Sequence, residues 1–370
     1  MTPTSSTDTE EDIEHDIDGK GTSHMEPMQS TIEADPSPPV DDLEIHDESP
    51  TTEETSEKKS RFSLASIRSK VIGMVPALVG IVVFLLLWAV LAPTVQTSLG
   101  ELPGPAEVLT AGDQLWDEYQ AERAKEAEFF ANQDARNAEL IAGGQPELVQ
   151  NFPFTGSPTF PSQIWTSLRT VALGFAIGVA IAIPVGLLSG LSKTFRRSIS
   201  PLVEIFKPVS PLAWLPIVTL VVSATVSNDP LLPKSFIVSA LVVTLNSLWP
   251  TLINTSVGAS SVDQDLLNVG EVLRLGPMTK LRKIILPSAV PYIFTGMRLS
   301  LGVGWMVLIA AEMLAQNPGL GKFVWDEFQN GSSQSLSRIM FAVLVIGVIG
   351  FLLDRLMGLA ETLVSRNRGM

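Results

Sequence analysis

The chain has 370 residues, of which 45% are apolar and only 17% are charged, a balance that argues against a wholly water-soluble protein. It contains no cysteine, which excludes disulfides, thiol nucleophiles and thiolate-bound metals. The three histidines are His15, His24 and His46, so the rest of the chain offers almost no candidates for histidine-dependent catalysis or histidine-bound metals.

The first 57 residues form a strongly acidic segment. They hold 18 acidic side chains and a single basic one, Lys20, and they are rich in Ser, Thr and Pro. Such a composition cannot bury enough apolar surface to offset the entropy lost on ordering. We therefore expect residues 1–57 to be a disordered cytosolic tail, either simply solvated or used for regulation or docking.

Six stretches are apolar enough to be candidates for bilayer-crossing helices, which need roughly 20 residues. The first, 71–100, follows five basic residues, and we interpret 58–92 as a basic flank and an uncleaved anchor rather than a signal peptide. The sixth, 339–353, reaches full length only if its helix continues past Asp354 to about Leu359. The other four are 170–192, 208–228, 235–262 and 292–315. The sequence thus predicts an all-α membrane protein with six transmembrane helices.

The distribution of Lys and Arg predicts the orientation. With a cytoplasmic amino terminus, the inside segments hold 16 basic residues and the outside segments hold 7. Both termini, including residues 361–370, are therefore expected in the cytoplasm.

The longest outside segment, 93–160, is predicted to contain a charged helix. Residues 105–142 have no internal proline and end at Gly143-Gly144, a helix stop signal. Between Glu101 and Gln150 there are 11 acidic and 3 basic residues, which disfavours direct anion binding. The segment is either a surface insertion or a contact for an external partner.

Small residues recur at every fourth position of the second stretch. Such a stripe lets another helix approach closely, so we interpret it as a helix-packing face. Its members are Gly174, Gly178, Ala182, Gly186 and Gly190.

Prolines in the third and fourth stretches, at 208, 211, 216 and 250, are expected to break these helices. Broken helices occur in a bilayer where protein or water surrounds them, so both stretches are predicted to line a central cavity. Each polar candidate for the translocation path has an alternative role as an interhelical hydrogen-bonding group. The candidates are Ser210, Trp214, Thr219, Ser223, Asn246, Ser247 and Asn254.

Two charged residues, Arg298 and Glu312, lie well inside the fifth stretch. At ~1.5 Å per residue they are about 21 Å apart along a helix, so each needs a different partner. Both are candidates for the solute path, with an anchoring role for Arg298 and a structural role for Glu312 as the alternatives.

The segment 263–290 is predicted to be a cytosolic loop of two short helices. Leu266, Val269 and Leu273 share one face of the first helix. Interfacial packing and docking to a cytosolic partner both fit this pattern. The residues expected to break the chain around the second helix are Gly276, Pro277, Pro287 and Pro291.

This loop resembles the coupling loop of membrane subunits of bacterial ATP-binding-cassette importers, where a Glu-Ala-Ala, a Gly and an Ile-x-Leu-Pro occur at fixed spacing. The run Ile284-Ile-Leu286-Pro287 matches the end of that pattern. Asn268, Val269 and Gly270 occupy the Glu-Ala-Ala positions, and Arg274 occupies the Gly position. Further segments resemble the nitrate/sulfonate/taurine group, and within it the nitrate, bicarbonate and cyanate permeases; these are 211–217, 249–255, 291–298, 310–314 and 319–321.

The resemblance covers roughly residues 161–360 and implies a five-span permease core of the type I importer kind, preceded by an extra span. It implies a homodimer in the bacterial inner membrane, surrounded by lipid, an extracytoplasmic solute-binding protein, and two cytosolic ATPase subunits docked on 263–290. The residues that it assigns to ATPase coupling are Leu266, Asn268, Val269, Gly270, Leu273, Arg274, Gly276, Ile284, Leu286 and Pro287.

The solute implied is a small oxyanion: nitrate, or else nitrite, bicarbonate, cyanate or a sulfonate such as taurine. The chain is not expected to be an enzyme, because Gly319-Leu-Gly-Lys322 lacks the glycine spacing and the hydroxyl of a nucleotide-binding phosphate loop. ATP and Mg are therefore expected on the partner ATPase, with no cofactor, metal or nucleic acid on this chain. The alternatives are an ion-gradient-driven transporter or channel and a non-transporting membrane scaffold.

Overall fold

The structure, a computed structural model, describes residues 64–97, 100–227, 232–332 and 334–366. The acidic tail 1–57 and the basic residues 58–63 lie outside the described residues.

The first predicted span begins as a helix, α1 (Leu64–Leu91), and continues as a short 3-10 turn, Ala92–Thr94. The helix stops before the end of the apolar run 71–100 because Pro93 has no backbone N–H to continue the ladder. A minimal antiparallel hairpin follows, with strands β1 (Gln96–Thr97) and β2 (Gly100–Glu101).

The charged helix of the outside segment, α2, spans Pro105–Ala142, the bounds predicted from the sequence. Its first turn is closed by Glu107, whose carboxylate accepts a hydrogen bond from the Gly104 amide at 3.0 Å. Its end is marked by Gly144, which adopts a φ of +75° that glycine tolerates best. A 3-10 turn, Pro146–Leu148, then leads into an extended segment that returns along α2.

Three helices occupy the region of the second and third predicted spans. The helix α3 (Phe160–Leu191) is ten residues longer at its start than the predicted span 170–192. The third predicted span, 208–228, corresponds to α5 (Pro211–Thr225). The helix before it, α4 (Lys193–Phe206), lies outside the predicted spans and meets α5 at 101°. With 15 residues, α5 is about 22 Å long. The break lies between Phe206 and Pro211, whose missing N–H makes it a natural first residue of a helix.

The fourth predicted span is a continuous helix, α6 (Lys234–Ser260). The expected interruption at Pro250 is therefore wrong, as is the one at Pro216, which lies inside the continuous helix α5. The helix α9, Leu286–Ala315, packs tightly against α6 at Pro250: a side chain added at Gly296 would lie 3.0 Å from the Pro250 carbonyl oxygen. In addition, the Thr251 amide donates to Ser300 Oγ of α9 at 3.0 Å. These contacts with α9 thus keep α6 helical through Pro250.

The predicted cytosolic loop contains α7 (Gln264–Val272) and a second helical segment that continues into α9. This segment runs from α8 (Pro277–Lys280) through one turn of π-helix, Leu281–Ile285, into α9. The expectation that Pro287 and Pro291 end it is wrong. The π turn carries the ladder up to Pro287, with the Leu286 amide donating to the Leu281 carbonyl, so helix and span form one run of 39 residues.

The chain ends with α10 (Leu320–Asn330) and α11 (Ser335–Arg366). The helix α11 continues past Asp354, which confirms the extension that the sixth span required. Arg338 of α11 pairs with Glu327 of α10 at 3.2 Å and with Glu118 of α2. These ion pairs join α2 to α10 and α11.

Among the described residues, four helical runs are long and apolar enough to cross a membrane: α3, α6, the α8–α9 run and α11. The bent α4–α5 pair makes a fifth if it is one span. The described apolar part of the first span, Leu78–Thr94, is shorter, so the six-span count remains a prediction. Valines and leucines of α3, α6 and α9 fill the core, among them the almost fully buried Val171, Val242 and Leu308.

Candidate functional site

The small-residue stripe of α3 lies against α6. A side chain added at Gly174 would stand 2.6 Å from the Ala240 carbonyl oxygen, and one at Gly186 would stand 2.7 Å from that of Leu252. Gly178 and Gly190 also meet α6, and Ala182 is completely buried. The stripe therefore brings two backbones into contact along most of α3.

The loop between α6 and α9 is closed by a left-handed residue. After α7, the Arg274 amide donates to the Glu271 carbonyl at 2.9 Å and the Leu275 amide donates to the Gly270 carbonyl at 3.0 Å. This is the Schellman arrangement, in which the residue after the helix cap, here Arg274, takes a positive φ. Arg274 has a φ of 46°, so the position where the resembled family has Gly is one where the backbone favours glycine.

The outer face of α7 is an exposed apolar surface. Leu266, Val269 and Leu273, which share one face by their spacing, are all exposed. Val272, which that spacing does not single out, is the most exposed of them at 82%. We call Leu266, Val269, Val272 and Leu273 the α7 patch. An exposed apolar surface of this kind is typical of a contact with another protein or with a membrane.

The other predicted loop residues differ in burial: Gly270 faces the interior of the loop, whereas Asn268 and Gly276 are exposed. Gly270 is buried, and a side chain added there would lie 2.9 Å from Ile284 Cδ1. Asn268 Oδ1 accepts from Gln264 Nε2 at 3.2 Å, and Gly276 stands directly before α8. Leu286 and Pro287 are the first residues of α9.

The polar candidates for the translocation path do not form one described cluster. On α5, Ser210 Oγ caps the helix by accepting from Leu212, and Thr219 donates to Leu215 within its own helix. Ser223 is exposed, and its carbonyl accepts from Lys234. Trp214 packs its ring at 5.7 Å from that of Phe206.

On α6, two of the candidates also bond within the helix. Asn246 donates to the Val242 carbonyl and Asn254 donates to the Pro250 carbonyl, each at 2.8 Å. Ser247 is buried where Gly178 of α3 and Gly304 of α9 approach α6. Their role in the path remains a prediction.

Arg298 finds its partner on another helix, as the sequence required. Its guanidinium forms a two-pronged ion pair with Asp354 of α11, with Nη2 at 2.6 Å from Oδ2. The pair lies inside the apolar runs of both helices and joins α9 to α11.

Glu312 is the most completely buried charged residue described, with 0% exposure. Both carboxylate oxygens accept from Ser167 Oγ of α3, at 2.9 and 2.8 Å, and one accepts from the Gly321 amide at 3.0 Å. Asn317 is a longer donor at 3.5 Å. Ser167 Oγ in turn accepts from the Leu320 amide at 2.9 Å. One carboxylate thus holds α3, α9 and the start of α10 together.

Comparisons with known proteins agree with this architecture. The sequence model of the family described as "Binding-protein-dependent transport system inner membrane component" matches residues 182–366. A bicarbonate transport system permease protein of Synechococcus elongatus is 33% identical over 323 residues, which cover 86% of this chain and 99% of that protein.

A nitrate import permease protein of Synechocystis sp. is 37% identical over 227 residues, covering 59% of this chain and 78% of the relative. Among solved structures, a chain of the MetNI methionine ABC transporter in inward-facing conformations covers 56% of this chain with a TM-score of 0.47 and 16% identity. On the family match and the relative aligned over nearly its whole length, this chain belongs to the inner membrane components of binding-protein-dependent transport systems.

Proposed function

We propose that this chain is the membrane-spanning subunit of an ATP-driven importer that carries a small oxyanion, with nitrate as the first candidate and bicarbonate as the second. Support comes from relatives that are named as nitrate and bicarbonate permeases and that align over most of their lengths. A charged solute is costly to desolvate, so the path is expected to be polar and wet.

The observation that carries the proposal is the α7 patch, which lies on the helix just before the continuous α8–α9 run. A partner that binds the patch would act on that run through the contacts of α7 with it, among them the Lys280–Glu271 ion pair. We assign this partner role to two cytosolic ATPase subunits, which hold ATP and Mg. Nucleotide-driven closure of these subunits then moves the loop and exposes the path to alternate sides of the membrane.

The remaining partners follow from the family and from charge. The chain functions as a homodimer in the bacterial inner membrane, with the loop and both termini in the cytoplasm, in line with the excess of basic residues on those segments. An extracytoplasmic binding protein delivers the solute on the opposite side, where α2 lies.

The docking role is tested by charging the α7 patch. We expect V272E to insert and fold normally but to lose uptake and solute-stimulated ATP hydrolysis, because a carboxylate would be buried in an apolar interface. Q264E is the matched control: it adds the same charge to α7, about 80° around the helix from Val272. Normal coupled hydrolysis in V272E would overturn the docking role.

The substrate is tested by labelled nitrate uptake into vesicles containing the assembled transporter, with bicarbonate and taurine as competitors. Nitrate uptake that requires ATP and resists competition by taurine supports the proposal. Solute flux through the purified chain alone, driven by an ion gradient, would instead make it a secondary transporter or channel.

A further inference from the structure

A cleft of about 310 Å³ opens between the end of α3, the length of α4 and the last turns of α6. It lies at the end of the bundle that carries the α7 loop, because α6 leads directly into α7. Its floor is apolar, formed by Ile199, Val203, Leu252, Ile253 and Val257. Its rim is polar, so the cleft is amphipathic.

Two cations and one acid stand on the rim, all on α4 or directly after it: Arg196, Glu204 and Lys207. Arg196 is held in place by two carbonyls at the end of α3, donating from Nε to Ser189 and from Nη2 to Gly190, both at 3.0 Å. Within the described residues, Nη1 of Arg196 and the side chains of Glu204 and Lys207 have no partner. Ser200, Ser256 and Ser260 complete the rim, and the buried Ser189 also lines the cleft.

The helix α4 has the form of a helix that lies along a membrane surface. Its apolar residues Leu202 and Ile205 are 51% and 62% exposed, whereas its basic residues Lys193 and Arg197 lie on the opposite side. Its angle of 101° to α5 places it nearly parallel to the bilayer if α5 runs along the membrane normal. The floor of the cleft would then lie at the depth of the acyl chains and the rim at the depth of the headgroups.

We propose that this cleft binds one phospholipid molecule, with its phosphodiester on Arg196 and Lys207 and an acyl chain along the apolar floor. The charges are complementary, because the two cations offset one phosphate and Glu204. Glu204 and the serines are then placed to receive hydrogen-bond donors of the headgroup. The amphipathic lining fits a lipid better than a small inorganic anion, which would leave the apolar floor uncovered.

The proposal is tested by native mass spectrometry of the full-length chain, delipidated in detergent and titrated with phosphatidylglycerol. We expect K207Q to weaken binding of the first lipid about tenfold, since it removes one charge-assisted contact. K193Q removes the same charge from the same helix, but Lys193 lies outside the cleft. The affinity of this variant for the first lipid should therefore stay within about twofold of that of the unchanged chain. Unchanged elution volume and helicity exclude misfolding.

A second variant and a crosslink separate lipid from other occupants. S256L fills the cleft without changing its charge and should also abolish binding of the first lipid. With p-benzoylphenylalanine in place of Ile253, illumination in membranes should yield an adduct of phospholipid mass. The proposal is overturned if K207Q and K193Q bind alike, if the adduct is a second copy of the chain, or if nitrate displaces the lipid.

Discussion

Arg274 adopts a backbone conformation that residues with a side chain rarely take. Its left-handed conformation completes the hydrogen bonds at the end of α7, but such a φ costs a non-glycine residue of the order of 1 kcal/mol. The loop therefore keeps its shape through the surrounding contacts, among them the Lys280–Glu271 ion pair at 3.3 Å.

We expect R274G to stabilise the end of α7 by up to about 1 kcal/mol, because glycine adopts this conformation without the penalty. The measurement is amide hydrogen exchange at Leu275 and Arg274, which should slow by up to about fivefold. R282G is the control, since glycine in a helical turn should accelerate exchange. Faster exchange at Leu275 in R274G would contradict the assignment.

Glu312 is a buried carboxylate that is stabilised by hydrogen bonds from uncharged donors. In the described structure its oxygens are bonded to a hydroxyl, an amide N–H and a side-chain amide rather than to Lys or Arg. Close packing is part of the arrangement, because a side chain at Gly321 would lie 2.9 Å from Glu312 Cβ. Glycine at 321 is thus needed to bring the donor to the carboxylate.

We expect E312Q to destabilise the folded chain by about 1–3 kcal/mol, since a carboxamide has a single acceptor oxygen and leaves a buried donor unsatisfied. Thermal unfolding in detergent measures the loss. In a double-mutant cycle with S167A, the two losses should be strongly non-additive because the residues share their bonds. Additive losses would show that Ser167 and Glu312 do not act together.

Among the elements, α9 and α11 are joined by the Arg298–Asp354 pair. Removing one partner leaves an unpaired charge on a membrane-spanning helix, which is unfavourable. We expect R298A and D354A each to lower the yield of folded protein, and R298D/D354R to restore it. The measurement is the monodisperse fraction after extraction.

The double variant R298D/D354R also distinguishes an anchoring role of Arg298 from a role in the solute path. An anchor works in either orientation, so the double variant should regain uptake together with folding. Restored folding without restored uptake would place Arg298 in the solute path instead.

Some elements follow from local pattern alone and others do not. The ends of α2 are set by Pro105 and Gly143-Gly144, and the positions of α6 and α9 follow from apolar length, so all three could be predicted. The continuity through Pro250 could not, because the contacts that support it come from Gly296 and Ser300 on another helix. The bend between α4 and α5 could not be predicted either, because charged residues such as Arg196, Glu204 and Lys207 place α4 outside the apolar stretches.

The same distinction applies to the candidate sites. Helical spacing could predict that Leu266, Val269 and Leu273 share one face of α7, but it could not predict that this face is exposed or that Val272 belongs to it. The Ser167–Glu312 and Arg298–Asp354 pairs join residues 145 and 56 positions apart, and no local pattern reports such separations. A sequence can show that a buried charge needs a partner, but it does not identify the partner.

At the scale of the whole molecule, the described bundle leaves two different surfaces uncovered. The outer face of α11 is apolar, with exposed Val348 and Leu352. The outer face of α5 mixes exposed apolar residues, such as Leu220, with the hydroxyls of Thr219 and Ser223. The first surface suits lipid, and the second suits a second copy of the chain around a wet path.

Because the chain has no cysteine, single cysteines report contacts between copies directly. We expect L220C to form a disulfide-linked dimer in oxidised membranes and L352C to remain monomeric. The measurement is non-reducing electrophoresis. Dimers from L352C and none from L220C would reverse the assignment of the two surfaces.

The long run from Pro277 to Ala315 packs against α6 at several levels, at Tyr292, Gly296 and Gly304. Its far end is bonded to α3 through Glu312. A push on the α8 end is therefore passed to α3, α6 and α9 together, because none of these helices can tilt without carrying the others. A movement that begins at the α7 loop would then reach the opposite mouth with no separate signal to pass between them.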